Sequence, residues 1–556
     1  MMRRLNGNAA PIRCLCRDRW QASPQLSLLL GARVEWYDGD APATNPAFVA
    51  RYGYSNAIAF SRLDPVILPR FGFTYDLDNE GFLARTQIKG GVGLFTGGDP
   101  AVYFSNAFSN NGFVTGAGQT GAAGCFPVGT PIDVVTNGQF TGIPACVVQA
   151  GAANSARGLA DTQSTDPNFT VPTVLRANIG IATRIGPESG FFSDWRLNID
   201  YIFSRFRNPI DFVDLSQVVN PTLGLNGLTV DGRPIYRAID PTVAGCTARL
   251  VGQGGTPPTF VNVTPTCFNT GRDDEIQLTN GRDYSSHVAS FVLTKRFGSG
   301  LFTSGGSTLI NIGYAFTNAD SNRYNNSSTA TSSYDIVALF DRQNPAVATS
   351  EYETRHNFTF SGNFTERFFG DYRTRFGFVF VAREGRPYSV TFNNGGVFND
   401  SASGVDNALL YVPTGINDPN LAPTSNAASV TALENLVAAT PCVARYRGQT
   451  LPRNSCRNDW FYDVDLRISQ ELPGPGRLLG VDDRIQVFVD FDNVLNLISN
   501  SANVFRRFGY EVSPIGLSGV DSAGRYIIGG SNEVQTNAIQ TSSSLWRVQF
   551  GFNYEF

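Results

Sequence analysis

Hydrophobic and polar residues alternate with a period of two along much of this chain. In the stretch 545–556, Trp546, Val548, Phe550, Phe552, Tyr554 and Phe556 share one face, while Arg547, Gln549, Gly551, Asn553 and Glu555 share the other. Residues 461–472 set Tyr462, Val464, Leu466 and Ile468 against Asp463, Asp465, Arg467 and Ser469. Residues 484–497 set Ile485, Val487, Val489 and Phe491 against Gln486, Asp490 and Asp492. The same template fits 26–37, 66–77, 82–95, 174–185, 195–204, 284–297, 310–316, 357–364 and 373–383, giving about twelve strands.

The connections alternate as regularly as the residues do. Tight Gly-, Pro- and acid-rich links fall at 78–81, 186–190, 298–300, 369–370 and 473–476, and long Asn/Thr/Ser/Gly/Pro stretches at 96–172, 208–282, 318–353, 393–459 and 499–544. A soluble sandwich has no reason to gather its long loops at one end, whereas a membrane barrel has short periplasmic turns and long extracellular loops. Lipid cannot satisfy backbone amides, so spanning strands must close on themselves, apolar outward and polar inward. The expected fold is therefore all-β, an antiparallel transmembrane β-barrel.

Composition narrows the chemistry. Of 556 residues, 16% are charged, with 43 Lys+Arg against 47 Asp+Glu, and 12% are aromatic. The only histidines are His287 and His356, and the only lysines Lys89 and Lys295, which argues against His-based metal or acid–base catalysis and against a lysine-rich nucleic-acid surface. No apolar run reaches the ~18 residues of a spanning helix. There is no Gly-Lys dipeptide for a phosphate loop and no Gly-x-Ser-x-Gly elbow. Residues 76–81 imitate the start of a calcium loop, but Gln87 stands where a bidentate Glu is needed, so a hairpin turn is the better reading. No enzyme activity, metal or cofactor is expected.

Cysteine usage points to an oxidising compartment. Cys125/Cys146, Cys246/Cys267 and Cys442/Cys456 form close pairs in loop-like sequence without neighbouring His, the pattern of loop-stapling disulfides. Cys14 and Cys16 are too close to bridge easily. The opening residues lack the apolar core of a secretory signal, so residues 1–16 are expected to be unstructured or artefactual and the true N-terminus to lie elsewhere.

Several stretches resemble a known group. Trp20-Gln21-Ala22 and Pro24 through Glu35 resemble a mid-barrel signature of TonB-dependent outer-membrane receptors; 69–76 and 90–95 resemble the paired strands after it, particularly in the Oar-like branch. Asp490 to Asn496 is similar to a penultimate-strand motif, and terminal Phe556 with its alternating aromatics resembles the outer-membrane assembly signal. The resemblance covers residues 17–556. It implies a 22-stranded barrel in the Gram-negative cell outer membrane, of which this chain supplies the last twelve or thirteen strands, without the family's plug or TonB-binding segment. The implied function is binding and import of a scarce solute. The implied partners are outer-membrane lipid, the barrel assembly machinery, the TonB complex through a plug, and a small solute or glycan; nucleic acid is not among them. A surface adhesion protein with disulfide-stapled binding loops and a passive porin-like barrel are the alternatives.

Two sets of residues are candidates for function. Arg33, Arg196, Asp200, Arg375, Arg383, Asp463, Asp465, Arg467, Asp490 and Arg547 are expected on the lumen face, where the arginines either favour anions or pair with a plug and with lumen acids, and Asp463 and Asp465 pair with Arg467 and with arginines of neighbouring strands. Tyr103, Phe104, Asn106, Phe108 and Asn110 mix rings with amides, which suits an extracellular ligand loop or equally a packed surface loop.

Overall fold

The computed structural model describes residues 10–114, 125, 127, 134–187, 190–251, 259–269, 274–323, 327–401, 407–476, 480 and 483–556. Its main feature is a wall of long strands: β1 (Ala10–Gln21), β2 (Leu26–Asp38), β3 (Val66–Leu77), β4 (Leu83–Thr96), β5 (Thr173–Ile185), β6 (Trp195–Arg207), β7 (Tyr284–Phe297), β8 (Ser307–Ser321), β9 (His356–Phe369), β10 (Tyr372–Arg383), β11 (Phe461–Pro473), β12 (Arg484–Asp492) and β13 (Arg547–Glu555). They pair in chain order as one antiparallel sheet, with the short strand Ala348–Thr349 added against β8. Neighbours alternate in direction, so β1 and β13 run the same way, and no antiparallel ladder can join these two edges to each other.

All twelve expected strands are present. The thirteenth, β1, departs from the expectation that residues 1–16 are unstructured or artefactual: of these, 1–9 lie outside the described residues, and from Ala10 the chain is strand that pairs with β2 over its whole length. Its pattern escapes the alternation template because Cys14, Cys16 and Asp18, all exposed, occupy positions that large apolar residues fill elsewhere. β12 is shorter than the expected 484–497. It stops at Asp492 because Asn493 takes a left-handed φ of 53° and caps the helix Val494–Ile498.

Short links (22–25, 78–82, 186–194, 298–306, 370–371, 474–483) lie at one end of the wall and long segments (39–65, 97–172, 208–283, 322–355, 384–460, 493–546) at the other. The short turns are held by side chains. Glu366 accepts hydrogen bonds from the backbone N–H of Leu301, Phe302 and Thr303 and from the Thr303 hydroxyl (2.7 Å). Asp76 accepts from Gln87 at 2.7 Å, which makes 76–87 a hairpin. Exposed Phe82, Phe192, Phe302 and Phe369 ring this end, as aromatic girdles do where a barrel meets the membrane interface.

The long segments are not structureless; they fold together into a cap. One apolar core gathers Tyr388, Phe392, Leu410, Tyr411, Leu433, Leu517, Tyr526 and Ile528 around a four-stranded sheet and the helix Ala427–Ala439. A second gathers Tyr37, Phe60, Phe104, Phe169, Phe212, Leu278 and Tyr334. Each buried side chain of this size contributes about 1.5–3 kcal/mol. Cys125–Cys146, Cys246–Cys267 and Cys442–Cys456 are disulfide-bonded within single cap segments.

Candidate functional site

Register divides the wall into two faces, because residues paired across a ladder point the same way. Arg19, Leu29, Gly72, Gly91 and Asn178 are successive partners across β1 to β5, and Lys89, Gly180 and Asp200 across β4 to β6. Leu30, Phe71 and Val92 form the corresponding row on the opposite, apolar face and are exposed. The polar face holds a recess of about 310 Å³ lined by Arg17, Arg19, Ser27, Thr74, Lys89 and Asn178. Arg19 Nε donates to Ser27 Oγ (3.1 Å), and Lys89 pairs with Asp200 (3.2 Å). A Cβ at Gly180 would collide with both the Asp200 carboxylate and the Lys89 stem, so glycine makes room for that pair. Arg17 and Arg19 form no ion pair among the described residues, which leaves a positive surplus on this part of the face.

The remaining wall charges are mostly partnered. Arg33 pairs with buried Glu35, which also accepts from the Thr96 hydroxyl at 2.8 Å. Arg375 pairs with Glu471, Arg547 with Asp492 (3.2 Å), and Arg383 lies over the Phe461 ring at 4.6 Å. Arg196 is exposed without an ion pair among the described residues. Of the expected pairing of Asp463 and Asp465 with Arg467 and neighbouring-strand arginines, the part with Arg467 is not formed among the described residues, while Arg383 of the adjacent strand acts electrostatically on Asp463. Arg467 pairs with Asp490 (3.2 Å), its register partner on β12, while Asp465 accepts from the Asn493 N–H (2.9 Å) and Asp463 lies in register with Val381. A directly opposite residue is closer than one further along the same strand, so the cross-strand partner wins. On the apolar face, His287 and His356 each meet a tyrosine hydroxyl, from Tyr201 (2.7 Å) and Tyr314 (2.9 Å). Trp546, Val548, Phe550, Phe552, Tyr554 and Phe556 lie along the outer edge, Phe550 opposite Val489 and Phe552 opposite Val487.

Of the two readings of residues 103–110, a ligand loop or a packed surface loop, the packing favours the second. Residues 101–109 form a helix that places Tyr103, Phe104 and Ala107 on one buried face. The two rings pack edge-on against Phe212 and Phe60. Tyr103 donates to the Ser327 carbonyl (2.9 Å), Asn106 bonds the backbone of Ser328 and Ala330, and Asn110 donates to the Asn106 carbonyl. With half-buried Phe108, these groups hold the cap together and leave little to offer a solute.

The sequence offers no sign of the cap's buried charge. Arg51 and Glu275 form an ion pair with side chains 2% and 0% exposed. Beside it Asp214 Oδ1 accepts from the N–H (2.8 Å) and hydroxyl (2.6 Å) of Ser216, while Oδ2 has no hydrogen-bond partner among the described residues. Burial pushes the Asp214 carboxyl up to about 7, that of Asp274 to about 8 and that of Glu511 to about 7. Arg323–Asp211, Arg342–Asp335 and Arg453–Glu351 are further buried pairs that join one cap segment to itself or another. A cap cavity of about 390 Å³ is lined by Phe340, Val347, Leu409 and Leu451, with Asp231, Gln449, Thr450 and Arg453 as its polar members. No cluster of three or more metal-ligating side chains occurs among the described residues.

The family model described as an outer membrane beta barrel domain matches residues 15–504. No curated protein matches. Among solved structures the chain is similar to the outer membrane transporter YddB from Escherichia coli, with 10% identity and a TM-score of 0.41, over 98% of this chain and 45% of that one. It is also similar to the RagAB peptide importer in the "closed-closed" state, with 8% identity and a TM-score of 0.36, over 87% of this chain and 44% of that one. The chain thus spans less than half the length of either structure.

Proposed function

Because the chain belongs to the outer membrane β-barrel domain family and resides in the cell outer membrane, we propose that it is the wall and cap of an import receptor, TonB-dependent and of the Oar-like branch. The cap faces outward, the short turns face the periplasm, and a scarce solute is captured outside and passed along the polar face. The observation that carries this reading is the two-faced wall: its inner side holds a basic recess rather than apolar packing. The TonB assignment is supported by residues 24–35 and 490–496 and by the terminal aromatics, and the Oar-like one by residues 69–76 and 90–95. On this reading the protein carries solute without altering it. Its partners are membrane lipid, the barrel assembly machinery and the TonB complex acting through a plug.

Uptake tests the proposal. Cells lacking the gene should accumulate less of a labelled siderophore, cobalamin or oligosaccharide, and a protonophore should abolish the difference. The ordered, disulfide-stapled cap favours a second reading, a surface adhesion protein. Unchanged uptake with loss of surface attachment would establish that reading, and steady conductance in planar bilayers would indicate a passive pore.

A further inference from the structure

The apolar face carries a groove of about 660 Å³ on the outer half of β1 to β5. Leu30 and Phe71 form one bank, in direct register. Ala32 and Pro69, also in register, are small or flat and make the floor; Leu94 forms the far side. All lie on the face that meets lipid. The upper end is marked by Arg207, the last residue of β6, where the chain leaves the wall for the outward cap. Arg207 is exposed and has no carboxylate partner among the described residues, whereas Arg205, two positions earlier, is neutralised by Asp283 at 3.3 Å. The opposite end is marked by Asp18.

We infer that this groove seats an acyl chain of a phosphate-bearing glycolipid of the outer leaflet, with Arg207 holding the phosphate. An apolar trench on a lipid-facing wall fills with hydrocarbon in any membrane; the selectivity comes from its outer end. A free guanidinium at headgroup level binds phosphate through charge-assisted hydrogen bonds. This inference rests on the membrane-facing side of the wall and is independent of what the protein transports.

The test is native mass spectrometry of the protein extracted from its own membrane in mild detergent, then challenged with purified lipid A or with phosphatidylethanolamine. The wild type is expected to retain lipid A in preference. Arg207→Gln should weaken lipid A retention about tenfold, the loss of one charge-assisted hydrogen bond, and leave phosphatidylethanolamine unchanged, with Arg207→Lys recovering much of it. Ala32→Phe, which fills the floor, should weaken both. Equal retention of the two lipids by the wild type, or no effect of Arg207→Gln in a variant that keeps protease resistance, would reduce the groove to ordinary annular lipid and overturn the inference. So would a second copy of the chain, detected as a dimer, occupying the groove.

Discussion

Wall and cap both contain arginine–carboxylate pairs, yet they use them under opposite conditions. In the wall the Arg467–Asp490 pair is 51% and 23% exposed, its partners one hairpin apart. In the cap, Arg51 and Glu275 are almost wholly enclosed and lie 224 residues apart in the chain. Wall pairs are placed by strand register and most keep at least one partner near water, even where the acid is buried as Glu35 is; the buried cap pairs are placed by tertiary packing and have lost it. The wall itself is uneven: β10 to β13 neutralise most of their charge across strands, while β1 carries Arg17 and Arg19 opposite Gly31 and Leu29, without an ion pair among the described residues.

The largest effects should therefore come from the cap. Arg51→Ala removes the cation from buried Glu275 and should cost about 3–5 kcal/mol, read as faster hydrogen exchange across residues 210–216 and 276–280; a loss below 1 kcal/mol would show that the pair is solvated. Asp214→Asn comes next and depends on pH. The folded carboxyl sits at about 7 against an ordinary 3.8, so its contribution to stability is complete below about pH 4 and is lost as pH rises through 7. By pH 8 that cost approaches about 4 kcal/mol. Asp214→Asn should thus be nearly neutral at pH 4 and stabilising at pH 8, flattening the decline without abolishing it, because Asp274 and Glu511 titrate in the same direction. A pH-independent effect would mean that Asp214 is ionised throughout. Replacing Cys442 and Cys456 together by Ala opens a loop with a sequence separation of 14; it should cost about 3 kcal/mol, visible as new tryptic cleavage at Arg445 or Arg447.

The same contrast explains what the sequence could disclose. Twelve strands were legible because lipid demands an apolar residue at every second position, and short turns fix which strands are neighbours. β1 was hidden because Cys14, Cys16 and Asp18 occupy those positions on an edge strand. The cap was read as loop because its Gly, Asn and Pro content is genuine, and its cores are assembled from segments far apart in sequence, Tyr37 with Tyr334 or Ile235 with Tyr526. Residues 101–109 stayed open between two readings for a different reason. Tyr103, Phe104 and Ala107 have the spacing of one helical face, but the surrounding amides suggested ligand contact, and only the packing of Phe104 against Phe60 and Phe169 decides between the two.

The smallest predicted effect is the one that probes the wall's interior. A double-mutant cycle on Arg467→Gln and Asp490→Asn should give a coupling of about 0.2–1 kcal/mol that shrinks as salt is added, as for other exposed pairs. The equivalent cycle on Arg51 and Glu275 should give several kcal/mol and resist salt. A strong, salt-insensitive coupling at Arg467 would mean that the polar face near β11 and β12 is shielded from water. Protein rather than solvent would then fill the space it encloses, and Arg17 and Arg19 would be waiting for an acidic segment rather than for a passing anion.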